Sequence, residues 1–222
     1  MSEDLLSREE WAEHIASNRA APIRGKEKLL ALRHEKAQMY YAIAGVPKRY
    51  RHLEWLADAE EYVGPEAIGS FEEAWGDWYG RIQENGLEGQ GGFYFYGQHN
   101  SGKTSLAVLT MLSACDFVED LPDPFYLHVG TYVTKCRMGL TDSLAEQWFA
   151  KASQASVFVF DDVGSEAGSD YAREQVTALL EARVSSVYPT IFTGNIPPED
   201  LEDALGGRIS ARILRYNVAI RI

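Results

Sequence analysis

From Gly91 onward the chain alternates short apolar runs with stretches long enough to form a helix, and this rhythm narrows the possible folds more than any other feature. The runs are FYFYG (93–97), FYLHV (125–129), VFVFDD (157–162), TIFTGN (190–195) and YNVAIRI (216–222). Continuous apolar runs suit strands buried on both faces, and helix-length connections suit crossovers between parallel strands. The expectation is an α/β fold, with a mainly parallel sheet covered by helices.

Ahead of this region the pattern is helical. SREE (7–10) fits a capping box before Trp11 and Ile15, and Leu29, Leu30, Leu32, Met39, Tyr40 and Ile43 recur at helical spacing between Lys26 and Ala44. Pro47, in GVPKRYR, breaks that pattern. SFEEAWGDWYGRIQENG carries a second capping box at Ser70–Glu73 and ends on Asn85 and Gly86, residues suited to a left-handed cap. The chain divides accordingly into a helical N-terminal segment (1–45), a linker with a helical approach region (46–90) and an α/β core (91–222).

Charge excludes some functions. The 222 residues carry a formal net charge of −12, a poor balance for tight duplex binding, where phosphate neutralisation supplies most of the affinity. Locally the balance differs. Arg24, Lys26, Lys28, Arg33, Lys36, Lys48, Arg49 and Arg51 face only Glu27 and Glu35, whereas 56–92 is acidic with Arg81 as its one basic residue. Cys115 and Cys136 have no metal-ligand or CxxC spacing and read as reduced thiols. No apolar run is long enough for a membrane helix, and the acidic N-terminus lacks the order of a signal peptide, so a cytoplasmic protein without membrane contact is expected.

The strongest chemical signal is GQHNSGKT (97–104), which follows one apolar run and opens the helical stretch TSLAVLTML. It matches GxxxxGK[ST] in the strand–loop–helix setting that the motif requires. Gly97 and Gly102 let backbone N–H groups close around phosphate oxygens, Lys103 reaches the β and γ phosphates, and Thr104 ligates Mg²⁺. Gly97, Asn100, Ser101, Gly102, Lys103, Thr104 and Ser105 are therefore the nucleotide-binding candidates, with ATP and Mg²⁺ as cofactors.

VFVFDDVGSE delivers two carboxylates at the end of an apolar run. Asp161 can hold Mg²⁺ through water, and Asp162 suits orientation and deprotonation of an attacking water. PTIFTGN ends on Thr193, Gly194 and Asn195, which puts a polar amide where a neighbouring strand would end; alone, such an asparagine is an ordinary turn residue. LGGRISARIL (205–214) places Arg208 and Arg212 one helical turn apart. An arginine offered across a subunit boundary raises NTP turnover by roughly 10³ to 10⁵. From spacing alone, a solvated surface helix accounts for the pair equally well.

In this order, GVPKRY, GQHNSGKTSLA, VFVFDDVGSE, YAREQVTALLEARVSSVYPTIFTGN and LEDALGGRISARIL resemble the AAA+ ATPase domain of DnaC/DnaI-type replicative helicase loaders and the similar IstB-type transposition ATPases. The resemblance runs from about Val46 to the C-terminus. It implies a P-loop AAA+ core with a five-stranded parallel sheet and a reduced lid, a homo-oligomer with ATP hydrolysed at subunit boundaries, and loading of a replicative hexameric helicase onto single-stranded DNA. It also makes Arg212 the arginine offered to a neighbour, with Arg208 beside it. Tyr50 and Arg51 fall near adenine, and Tyr132, Lys135 and Arg137 fall on the single-stranded DNA. Two departures stand out. The N-terminal segment, a candidate helicase-docking element, has no metal-ligand cysteines, and Asp162 stands where the family usually has glutamate, one methylene longer. Slow hydrolysis, or an ATP-gated adaptor that acts through contacts, fits the shorter side chain; a transposition ATPase that selects target DNA is the other alternative.

Overall fold

The computed structural model describes residues 26–53, 56–116, 122–138, 144–164, 170–186 and 188–222. The capping box at 7–10, with Trp11 and Ile15, lies outside the described residues. The five apolar runs become five strands: β1 (Gly92–Tyr96), β2 (Pro124–His128), β3 (Val157–Val163), β4 (Thr190–Gly194) and β5 (Asn217–Arg221). All pair in parallel, in the order β2-β3-β4-β1-β5. The helices are α1 (Lys26–Ala44), α2 (Pro65–Asn85), α3 (Lys103–Cys115), α4 (Val129–Met138), α5 (Leu144–Gln154), α6 (Asp170–Ser185), α7 (Leu201–Leu205) and α8 (Gly207–Tyr216). Short 3₁₀ turns cover Lys48–Tyr50, Leu56–Glu61 and Pro198–Asp200.

Strand periodicity divides the core into two layers. Phe93 and Phe95 of β1, and Val157 and Val159 of β3, join a cluster formed with α1, α2 and α3; Tyr94, Phe158 and Phe160 join α4 to α8 on the other face. Full burial of each such side chain is worth about 1.5–3 kcal/mol. Ala37, Met39, Tyr40, Tyr41 and Ala44 pack in the same cluster as Leu106 and Leu109, so the second half of α1 shares the core of the sheet domain.

One helix start differs from the sequence expectation. α2 begins at Pro65, and Ser70 sits inside it with its hydroxyl donating to the Glu66 carbonyl at 3.4 Å, so Ser70–Glu73 is no capping box. Proline at the first position starts the helix earlier because its missing N–H costs nothing there. The other end is as read: Gly86 has φ +75° and its N–H donates to the Ile82 carbonyl at 2.8 Å.

Two features of the topology position the site. The chain leaves β1 toward the β2 edge and leaves the adjacent β4 toward the β5 edge, which opens a crevice at the C-terminal ends of β1 and β4. At the opposite edge Arg183 ties the sheet to α5. Only 2% exposed, it donates to the carbonyls of Ala152 (3.3 Å), Ala155 and Pro189 (2.7 Å) and to Thr190 Oγ1 (3.1 Å). Replacing Arg183 with Met strands these buried acceptors, so unfolding in urea is expected to show a loss of about 2–4 kcal/mol at unchanged m-value.

Candidate functional site

β1 ends at Tyr96 and α3 starts at Lys103, so the loop 97–102 must turn tightly. Gly102 makes this possible: its φ is +93°, and a Cβ there would lie 2.2 Å from the Tyr62 carbonyl oxygen. Asn100, at φ +61°, adopts the left-handed conformation that asparagine tolerates best among non-glycine residues. Lys103 folds back across this loop, donating to the carbonyls of Gly97 (3.1 Å) and Gln98 and to Ser101 Oγ (3.3 Å). Burial pulls its ammonium below the ordinary lysine value, and Asp162 and Asp161 oppose that pull.

Asp161 and Asp162 sit where the β3–β4 register slips between Phe160 and Val163. Such an irregularity re-aims side chains at a strand end. Asp161, 2% exposed, turns onto α3: its Oδ1 accepts from Thr104 Oγ1 and Thr193 Oγ1, both at 2.7 Å, and its Oδ2 accepts from the Tyr126 phenol at 2.5 Å. Asp162 has φ +64° and is half-buried. Its N–H donates to Thr193 Oγ1 at 2.9 Å, its Oδ1 accepts from Asn195 Nδ2 at 3.4 Å, and its Oδ2 lies 3.5 Å from His128 Nε2. The Gly130 N–H donates to His128 Nδ1 at 3.1 Å, which turns Nε2 to the carboxylate.

Among the described residues no cluster of three His, Cys, Asp or Glu side chains forms a self-sufficient metal site. Thr104 and Asp161 are instead the sparse oxygen set that holds Mg²⁺ when phosphates supply further ligands, so these residues fit that cation. Two hollows flank the loop. One, of about 290 Å³, is lined by Tyr50, Tyr62 and residues 100–105; the other, of about 860 Å³, runs past Gln98, His99 and Asn195 to Arg221.

The structure therefore brings together Gly97, Asn100, Ser101, Gly102, Lys103, Thr104, Ser105, Asp161, Asp162, Asn195 and Tyr50. Arg51 stands apart from the hollow: its Nε donates to the Val46 carbonyl at 2.9 Å. Arg208, exposed at the start of α8, has its carbonyl accepting from Arg212 Nη1 at 3.4 Å, and Arg212 is remote from the hollow. Arg212 lines a pocket with Gly91, Thr190 and Asn217 at the N-terminal edge of the sheet, and its guanidinium donates to Glu181 at 3.1 Å. Tyr132 requires a correction as a stacking residue. It is 2% exposed, with its ring edge-on to Phe160, so it offers no free face to a base. Lys135 is half-exposed and Arg137 exposed on the same helix.

Sequence reasoning missed two residues of the site. Tyr126 and His128 lie two apart in FYLHV, polar-tipped side chains at the end of an apolar run, and that break in the pattern was the available signal. Tyr171, 40% exposed, lies at the start of α6, a helix that packs on α4. No sequence signal separated it from a core tyrosine. The tightness of the loop yields a test: Gly102→Ala forces a left-handed alanine against the Tyr62 carbonyl, and thermal or urea unfolding is expected to show a loss of about 2–4 kcal/mol.

No family model matches the chain. It is 26% identical over 144 residues to the replicative helicase loader DnaI of Bacillus subtilis (strain 168), a match that spans 59% of this chain and 45% of the relative. The chain thus spans less than half the length of that curated relative. The crystal structure of the DnaC helicase loader superposes with a TM-score of 0.63 at 23% identity, covering 79% of this chain and 99% of that one. The replication initiator DnaA, bound to AMPPCP and single-stranded DNA, superposes with a TM-score of 0.53 at 15% identity over 66% of this chain and 44% of its own. The chain has the AAA+ fold of these replication proteins, and its similarity is to the DnaC/DnaI-type helicase loaders that its motifs resemble.

Proposed function

We propose that this chain is an ATPase that loads a replicative hexameric helicase onto single-stranded DNA, acting as a homo-oligomer with ATP between subunits. The observation that carries the reading is the convergence of Lys103, Thr104, Asp161, Asp162 and Asn195 on one crevice at the ends of β1, β3 and β4. The similarity to DnaI and the shared fold with DnaC support the loader role.

The residues divide the work. Adenine fits the hollow between Tyr50 and Tyr62, and the triphosphate lies along residues 97–104. There Lys103 exchanges its carbonyl acceptors for phosphate oxygens, a stronger charge-assisted partner. Thr104 and Asp161 would hold Mg²⁺, which when bound would neutralise charge on the triphosphate. Asp162 orients the attacking water and accepts its proton, with Asn195 and His128 steadying the carboxylate. Its short side chain makes intrinsic turnover slow.

Arg212 reaches the opposite edge of the sheet from Lys103, which suits it to a neighbouring subunit's triphosphate rather than its own, with Arg208 one turn before it. For single-stranded DNA, Lys135 and Arg137 supply charge and Tyr171 supplies the exposed ring that Tyr132 lacks.

Steady-state ATPase and DNA-binding assays test these assignments. Arg212→Ala is expected to lower turnover in the assembled state by roughly 10³-fold, with nucleotide binding retained; unchanged turnover would remove the arginine from its role. Asp162→Asn is expected to abolish hydrolysis while leaving ATP-dependent assembly intact. Tyr171→Ala is expected to weaken single-stranded DNA binding about tenfold in a fluorescence anisotropy titration, the loss of one stacked base. Co-purification with the replicative helicase of the same cell tests the partner, and failure to recover it argues for the transposition alternative.

A further inference from the structure

The Asp161 carboxylate is anchored through both of its oxygens. Of the three hydroxyls that donate to it, only that of Thr104 belongs to the nucleotide loop. The others come from the strands on either side of β3: Thr193 from β4, on Oδ1, and Tyr126 from β2, on Oδ2. Both anchors are buried, Thr193 at 2% exposure and Tyr126 at 5%.

A carboxylate gripped from both flanks cannot turn about its Cβ–Cγ bond. It presents one fixed edge toward Thr104. That constraint bears on the cation, because Mg²⁺ accepts few protein ligands in a rigid octahedron, whereas Ca²⁺ takes more oxygens at longer distances and readily draws both oxygens of a mobile carboxylate. Selectivity between the two follows ligand number and flexibility as much as charge.

We propose that Tyr126 determines which divalent cation this site accepts: by pinning Asp161 from β2, it holds the site to a small octahedral cation and disfavours Ca²⁺. Tyr126 acts as a positioning residue, through Asp161 and not by touching the cation. The inference rests on reading the crevice as a metal–nucleotide site.

The test is equilibrium binding of a fluorescent, non-hydrolysable ATP analogue to the full chain, with no cation, with Mg²⁺ and with Ca²⁺. Wild type is expected to bind more tightly with Mg²⁺. Tyr126→Phe keeps the ring and removes the donor, and the Mg²⁺-over-Ca²⁺ affinity ratio is expected to fall by roughly fivefold through a gain with Ca²⁺; an equal change under all three conditions reports a shifted loop and overturns the role of Tyr126 in cation choice. Thr193→Val, which releases the other anchor, is expected to move the ratio in the same direction and carries the test if Tyr126→Phe does not fold. A ratio unchanged in a folded variant overturns the role of Tyr126 alone. Wild type that binds the analogue with neither cation overturns the nucleotide reading, and the inference falls with it.

Discussion

The carboxylate of Asp161 is the point on which the site depends. Buried charge is costly unless it is paired or fully hydrogen-bonded, and here three hydroxyls from three different elements meet that cost. In doing so they fix β2, β3 and β4 against the first turn of α3. The loop that begins α3 is therefore positioned by a polar contact at its back as well as by the tight turn at Gly102. The apolar layers supply stability, but this cluster decides where the loop sits over the sheet.

Around that fixed centre the second carboxylate is held more loosely. Asp162 is half-buried in a left-handed conformation, with a long hydrogen bond from Asn195 and His128 at 3.5 Å. A non-glycine residue in this region carries strain of order 1–3 kcal/mol that its surroundings must sustain, and such strain clusters at working sites. The contrast between the two aspartates matches their proposed roles: one is immobile and buried, and the other has room to meet a substrate water.

Much of the fold was legible because it rests on local pattern. Each apolar run became a strand, Lys26–Ala44 became a helix at the expected bounds, and Gly86 ended α2 as its chemistry requires. The glycine-rich loop was legible for the same reason, since its turn needs particular residues at particular offsets. The start of α2 was misread because two good local signals competed and proline at 65 won. Tyr132 was misread because helical spacing does not say which face of α4 is covered; that was decided by Phe160 and by α6, which arrives from elsewhere in the chain.

The sequence by itself determined the strands, the parallel α/β class, the phosphate-type loop and the acidic strand end, because each is written in residues close together along the chain. Only the tertiary structure decided that Tyr126, Thr193 and Thr104 share one carboxylate, that His128 faces Asp162, and that Arg212 lies at the far edge of the sheet from Lys103. These juxtapositions depend on strand order and register. Both are set by packing between segments tens of residues apart, where no local periodicity carries the information.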